Sequence, residues 1–380
     1  MLILISMFGC KNEDSSFLLQ HGRKTVIIYM IAENTLSSYS QKDIDEMISC
    51  SSKIPSDCNL LIYIDKGYNA IDDTLPKLVY IANGKTITIK TYPEQNSCEG
   101  AVFASVLSDI KTLSSSDSYS LVMWSHGTGW LPSLNTPSKS IGIDNNKNAY
   151  SNIGSEMNIS TMYEVLEQSG LHFEWILFDA CFMQCIEVAY ELKNLTDYII
   201  GSPAEIPAKG APYDVILPDF FLTDKENSAY SIATNYFYYY NNSKGVLLSV
   251  VKTSELENLA TMTSQCLGAI PNVNNADNIQ AYAPWSKKSS WRPEYYDIAS
   301  IMFHNVNLAQ YEEWFKQLEL TVPIRLHTKE WTSIYNFDAT LTDSFHYAGI
   351  SMFLPAERYK EYGYNETIKN TSWWKKVFCK

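Results

Sequence analysis

His126 and Cys181 are the two residues of this chain whose types and positions suit joint chemistry. An imidazole exchanges protons near neutral pH, and a thiolate is a strong nucleophile. Each follows an apolar run. Residues 119–124 lead into Ser125-His126-Gly127-Thr128-Gly129-Trp130, and residues 175–178 lead into Asp179-Ala180-Cys181-Phe182-Met183. Short apolar runs of this kind read as buried strands. In open parallel sheets, ligands bind in the crevice beyond the carboxyl ends of the strands. If the two strands are neighbours, one cleft receives both the ring and the thiol, the minimum equipment of a cysteine hydrolase.

The chemistry then follows. A protonated His126 stabilises the Cys181 thiolate and later protonates the leaving amine. A helix expected over residues 183–192 aims its N-terminal dipole at Cys181, which favours the thiolate further. Gly127 and Gly129 flank the His, so backbone can approach a substrate carbonyl closely, and the N–H groups of Gly127 and Cys181 are the natural oxyanion hole. The plainer reading makes Cys181 a core residue and His126 a loop residue with a satisfied hydrogen bond. Their joint placement at strand ends favours chemistry. His172 precedes the Cys strand, at its wrong end, and His21, His304, His327 and His346 have no comparable setting. No Arg follows Cys181 within residues 182–187, which excludes a Cys-based phosphatase, and no Gly-rich phosphate or dinucleotide motif is present. Cys181, Cys185 and His126 give a zinc ion only three ligands, so no metal is expected from the residues.

These elements need a large α/β scaffold, and the composition allows one. The chain has 380 residues, 46% hydrophobic and 19% charged, with a net charge of −13. That balance argues against a nucleic-acid partner, which needs clustered Lys and Arg. Residues 25–32 and 59–65 read as further buried strands. Residues 77–82 and 85–91, joined by Asn83-Gly84, read as a β-hairpin. Helices are expected at 41–49, 99–113, 160–166, 183–192, 228–240 and 255–267. Later strands are expected at 197–201, 245–251 and 347–354. Strand and helix alternate through the first 200 residues, which predicts a mainly parallel sheet flanked by helices. Residues 131–157 read as a loop with a short insert at 141–144, and 270–300 as an irregular, aromatic-rich surface. The expected division is a leader and tether at 1–20, a catalytic domain at 21–250, and a C-terminal region at 251–380 that returns one late strand to the fold.

The two strand-end segments resemble the His and Cys motifs of clostripain-type cysteine peptidases, relatives of caspases, gingipains and legumains. The caspase spacing, with a His about 50 residues before the Cys, is close to that between positions 126 and 181. The resemblance runs from about residue 25 to 213 and returns at 349–355 and 371–374. It implies a caspase-like α/β fold, a Cys–His dyad, and cleavage of peptide or protein substrates after Arg or Lys. It places Asp179 at the base of the pocket for the residue preceding the cut (P1), as a counter-charge; the other reading has Asp179 cap the following helix. Relatives often carry a second acid in the turn at 201–213. Here Lys209 occupies that place, where a cation would repel a basic P1 side chain, and an inward-pointing Glu205 would compensate. Relatives are often activated by self-cleavage in a loop between the dyad residues, for which Lys147, then Lys139, is the basic site. Some relatives require Ca²⁺, but no EF-hand pattern is present.

Residues 1–9 are apolar and too short to span a bilayer. With Cys10 and the polar stretch after it, they resemble a bacterial lipoprotein signal, which implies export to the cell envelope and a membrane anchor on Cys10. The other reading packs this segment on the body. A competing function is a catalytically silent protein of the same fold that grips peptide or glycan with segment 270–300. A different thiol hydrolase, such as an amidase, is a third.

Overall fold

Alternation along the first strand, β1 (Gly22–Ala32), sets the architecture. Ile27, Tyr29 and Ile31 enter one apolar core, and Val26, Ile28 and Met30 enter another on the opposite face. A strand buried on both sides belongs in the middle of a helix-covered sheet. The computed structural model describes residues 19–66, 75–131, 141–145, 154–243, 245–271, 278–282, 295–331, 340–342, 344 and 346–379.

After β1 come α1 (Ser37–Cys50), β2 (Cys58–Lys66), β3 (Lys77–Ala82), β4 (Lys85–Thr91), α2 (Gly100–Leu113) and β5 (Ser116–Trp124). A small antiparallel pair, β6 (Ile141–Asp144) and β7 (Ser155–Met157), precedes α3 (Ile159–Ser169), β8 (Phe173–Asp179), α4 (Ile186–Leu192) and β9 (Thr196–Gly201). Then follow α5 (Tyr213–Ile216), α6 (Lys225–Tyr240), β10 (Leu247–Lys252) and α7 (Leu256–Leu267). The chain ends with β11 (Tyr296–Asp297), α8 (Ile298–Asn305), α9 (Leu308–Thr321), β12 (Ile324–His327), β13 (Ser351–Met352), α10 (Tyr364–Thr367) and α11 (Ser372–Phe378).

Nine strands form the central sheet in the order β12-β10-β9-β8-β5-β1-β2-β3-β4. The five central strands, from β9 to β2, are parallel, and both flanks are antiparallel. This is the caspase-like α/β sheet expected from the sequence. Helices α1 and α6 cover one face, and α2, α3, α4, α7, α9 and α11 the other.

Three expectations are corrected. The strand expected at 347–354 forms only β13, which pairs with β11 and stays out of the central sheet. The edge beside β10 is instead β12, a half-buried strand whose sequence carries little apolar signal. The helix expected from Met183 starts at Ile186, with Cys185 at its N-cap. Phe182 adopts φ 62°, a left-handed conformation that starts no helix. The dipole of α4 is therefore not delivered to Cys181. Finally, within 270–300 the described Tyr282, Tyr295 and Tyr296 are buried in the core. The remaining aromatic residues of that segment, Trp285 and Trp291, lie outside the described residues.

Candidate active site

Parallel pairing sets the site. β5 and β8 are neighbours in a register that puts Trp124 opposite Asp179. His126 and Cys181 each lie two residues further on, so the same sheet edge presents both. The Ser125 N–H still donates to the Asp179 carbonyl at 3.4 Å, carrying the alignment past the last ladder pair. The next step depends on glycine. A Cβ on Gly127 would lie 2.6 Å from the Cys181 carbonyl oxygen and 3.0 Å from both Ala180 Cβ and Met183 Cγ. The His-bearing loop thus packs directly on the Cys-bearing turn, and only a residue without a side chain allows it.

The side chains of both candidates, His126 and Cys181, are half-buried. The Cys181 sulfur accepts a hydrogen bond from the Ile206 N–H at 3.4 Å. A donor aimed at sulfur favours the thiolate over the thiol. His126 Nε2 lies 2.9 Å from the Thr35 hydroxyl, in the loop after β1. Its carbonyl accepts from Gly142 N–H at 3.0 Å, within a bridge that pairs Gly127 with Ile141. In that antiparallel pattern the Gly127 amide points away from Ile141. Farther along the His loop, the Tyr295 hydroxyl donates to the Thr128 carbonyl. The Tyr295 ring stacks on Phe182 with centroids 5.6 Å apart. Four other thiols are poor nucleophiles: burial pushes Cys58 up to about 11 and raises Cys50, Cys185 and Cys266.

Asp179 is buried, and its carboxylate accepts from the Ala211 N–H at 3.0 and 3.1 Å, the Tyr213 hydroxyl at 3.0 Å and the Tyr236 hydroxyl at 3.4 Å. None of these donors is in α4, so Asp179 does not cap that helix. Burial raises its pKa to about 6, against the pull of those donors. A second acid stands beside it. Asp43 of α1 accepts from Trp124 Nε1 at 2.8 Å, while its other oxygen, Oδ1, is buried without a hydrogen-bond partner. Burial, and then repulsion from Asp179, push Asp43 up to about 9. Lys209 joins this group, but its ammonium is held by Glu46 at 3.0 Å and Tyr239 at 2.6 Å. Burial alone would lower the Lys209 pKa; these two bonds outweigh it and raise it. Glu205 is buried in the same turn. Lys147, Lys139 and Cys10 lie outside the described residues. Sequence reasoning missed Thr35, Asp43, Glu46, Tyr213 and Tyr236. Only the pairing of β1 with β5 and the packing of α1, α5 and α6 on the sheet bring them here, and no local spacing announces that.

A helix-covered sheet with a thiol and an imidazole on the ends of adjacent parallel strands defines a cysteine peptidase of the caspase-like class. The chain belongs to the clostripain family of cysteine peptidases, whose sequence pattern it matches over residues 28–378. It is similar to a secreted C11 cysteine protease from Bacteroides thetaiotaomicron, solved with an irreversible peptide inhibitor. That match has 30% identity and a TM-score of 0.78, and covers 95% of this chain and 100% of that one. An inactive zymogen C11 protease from Parabacteroides distasonis is similar at 29% identity and a TM-score of 0.77, covering 95% and 99%. A B. fragilis cysteine protease matches at 28% identity and a TM-score of 0.51, covering 60% of this chain and 95% of that one. Among curated proteins, none matches the chain.

Proposed function

We propose that this protein is a cysteine endopeptidase in which Cys181 attacks the scissile carbonyl and His126 moves the protons. With Nε2 bonded to Thr35, Nδ1 is the nitrogen that serves the reaction. The thiolate adds to the carbonyl, and the oxyanion forms against the N–H groups of Gly127 and Cys181. His126 then protonates the departing amine, leaving an acyl-enzyme at Cys181. It next takes a proton from water, which hydrolyses the thioester and restores the dyad. The supporting observation is the contact between the two loops at Gly127. Iodoacetamide at neutral pH tests the nucleophile: Cys181 should react well ahead of the buried Cys50, Cys58, Cys98 and Cys185. Peptide cleavage should vanish in Cys181→Ala. Cleavage that survives this substitution would refute the assignment.

The same reading gives a preference for Arg or Lys at P1. Asp179, two residues before the nucleophile, puts a buried carboxylate there, Asp43 beside it is held protonated, and the local cation, Lys209, is turned to Glu46 and Tyr239. Lys209 therefore does not bar a basic side chain in the way its alignment suggested. Peptides varied at P1 test this, and cleavage after Asp or an apolar residue, but not Arg, would reject it.

Export through a lipid on Cys10, with the peptidase held at the cell envelope, is supported by the apolar segment before it and by a relative described as secreted. Palmitate labelling lost in Cys10→Ala checks it. Self-cleavage after Lys147 accounts for the loop between the dyad residues. A fragment pair that persists in Cys181→Ala would point to an outside protease.

A further inference from the structure

Two buried acids from different parts of the fold meet beside the P1 site proposed above. Asp179 ends β8, and Asp43 comes from α1 and is fully buried. β5 brings them together. Trp124 is the ladder partner of Asp179, and its Nε1–H donates to Asp43 Oδ2 at 2.8 Å. Asp179 is well supplied with donors, from Ala211, Tyr213 and Tyr236. Asp43 is not: its Oδ1 is buried and has no hydrogen-bond partner. The charged and titratable groups that face Asp43 are Glu46 on α1 itself, Asp179 of β8, Lys209 of the turn after β9, Tyr213 of α5, and Tyr236 and Tyr240 of α6. Lys209 is the one cation among these groups, and Glu46 and Tyr239 hold its ammonium at 3.0 and 2.6 Å. A buried carboxylate with a donorless oxygen and a second carboxylate beside it takes up a proton. Burial, and then repulsion from Asp179, push Asp43 up to about 9.

We infer that Asp43 is the second acid of the P1 pocket, and that a basic P1 side chain drives the proton off Asp43 as it binds. The inference rests on the P1 preference proposed above and adds its dependence on pH. An ammonium or guanidinium gives Oδ1 the donor it lacks and sets a positive charge beside both carboxyls, which favours their charged forms. Asp43 becomes a carboxylate paired with the P1 cation, the cation keeps all of its own protons, and one proton passes to solvent. With Lys209 in the turn at 201–213, the acid from α1 completes the pocket. Basic and neutral peptides therefore part company as pH changes. Release of one proton makes the affinity for a P1-Arg peptide rise by up to about tenfold per pH unit below about 9, and a peptide with an uncharged P1 gains nothing.

The test uses the full-length protein carrying Cys181→Ala, which can hold a peptide without cutting it. At about pH 7.5, Asp179, near 6, is ionised and Asp43, near 9, is protonated, so the two acids are read separately. Calorimetric titrations in phosphate and in Tris, whose ionisation heats differ, count the protons released. About one proton is expected with a P1-Arg peptide and none with the same peptide carrying norleucine at P1. Asp43→Asn keeps an acceptor for Trp124 and is neutral like the acid it replaces. It should still favour the P1-Arg peptide, through Asp179, but release no proton, and its affinity should stay level from about pH 7 to 8.5. If the parent binds P1-Arg no better than norleucine, the P1 reading fails and this inference falls with it. Preference for Arg without proton release, or release that persists in folded Asp43→Asn, overturns the inference alone. If Asp43→Asn does not fold, the pH series of the parent decides: affinity for P1-Arg that rises about five- to tenfold per pH unit upholds the coupling, and level affinity overturns it.

Discussion

Replacing Gly127 with Ala tests whether the two reactive loops touch as described. The new methyl carbon would lie 2.6 Å from the Cys181 carbonyl oxygen and 3.0 Å from Ala180 Cβ and Met183 Cγ. Comfortable separations for such pairs are about 3.5 Å, so the loops must part by roughly 0.5–0.9 Å. Neither Cys181 nor Ala180 can relieve this by turning a flexible side chain, because the blocking atoms are a backbone oxygen and a Cβ. A displacement of about 1 Å between reacting groups costs on the order of 10²-fold. The variant should therefore lose about 10- to 100-fold in kcat with a small change in KM. Overpacking should also cost about 1–3 kcal/mol of stability.

A control separates these two effects. Gly170 follows α3 at φ 65°, and only Lys111 Nζ, at 3.6 Å, stands near its missing Cβ. Gly170→Ala should cost about 1 kcal/mol through backbone strain and leave kcat alone. Both variants are assayed with a fluorogenic peptide under saturating substrate, alongside circular dichroism and thermal melts. If Gly127→Ala is folded and keeps kcat within about twofold of wild type, the loops do not meet at Gly127. The dyad argument built on that contact then fails.

Thr35→Val keeps the shape of the side chain but removes the hydroxyl from His126 Nε2. It should lower kcat by about 10-fold with KM nearly unchanged, the loss of one hydrogen bond of about 1.4 kcal/mol; an unchanged kcat would remove Thr35 from the mechanism. For a P1-Arg peptide, kcat/KM should fall as pH drops through about 6, where Asp179 takes a proton. Stability moves the other way. The folded pKa is above the ordinary 3.8, so this group's contribution is full below 3.8 and is lost as pH rises through about 6. Acid loss of activity is then not unfolding through Asp179, and an Asp179→Asn variant that retains the same acid limb would refute the assignment. Lys209→Met removes a cation from the acidic group while keeping the stem, so KM for a P1-Arg peptide should fall several-fold; a rise would show that Lys209 helps to build the pocket.

The parts legible in the sequence were those whose signal is local. The Asn83-Gly84 hairpin has its expected ends because that turn needs two left-handed residues, and both adopt positive φ. The buried strands β1, β2, β5 and β8 announce themselves by unbroken apolar runs. β12 does not, because an edge strand buried on one side needs only a few apolar residues, and Ile324 to His327 are all half-buried. The start of α4 was misread because residues 182–185 are as apolar as a helix face. They serve instead as a tight turn, in which Phe182 N–H bonds to Ala204 and Gln184 N–H to Ser202. In the site, Cys181 and His126 were legible from their strand ends. Thr35 and Asp43 were not, since each reaches the site only through the pairing order of the sheet.

The C-terminal part of the chain completes the walls of the site. Tyr295 binds the Thr128 carbonyl and stacks on Phe182, so one side chain holds both reactive loops. Gly129, at φ 71°, makes room for it: a Cβ there would meet the Tyr295 hydroxyl at 2.5 Å. Trp130 packs edge-on against Phe353, with centroids 5.0 Å apart. The Ser351 N–H donates to the Gln184 carbonyl at 3.1 Å, and the Phe353 N–H to Glu187 at 2.8 Å. The His loop and the turn after Cys181 are thus braced from the same side by residues 295–353. A strained turn such as Phe182 persists only where its surroundings fix it. Here the fixing residues come from more than 100 positions away, which ties the geometry of the thiol to the folding of the whole chain.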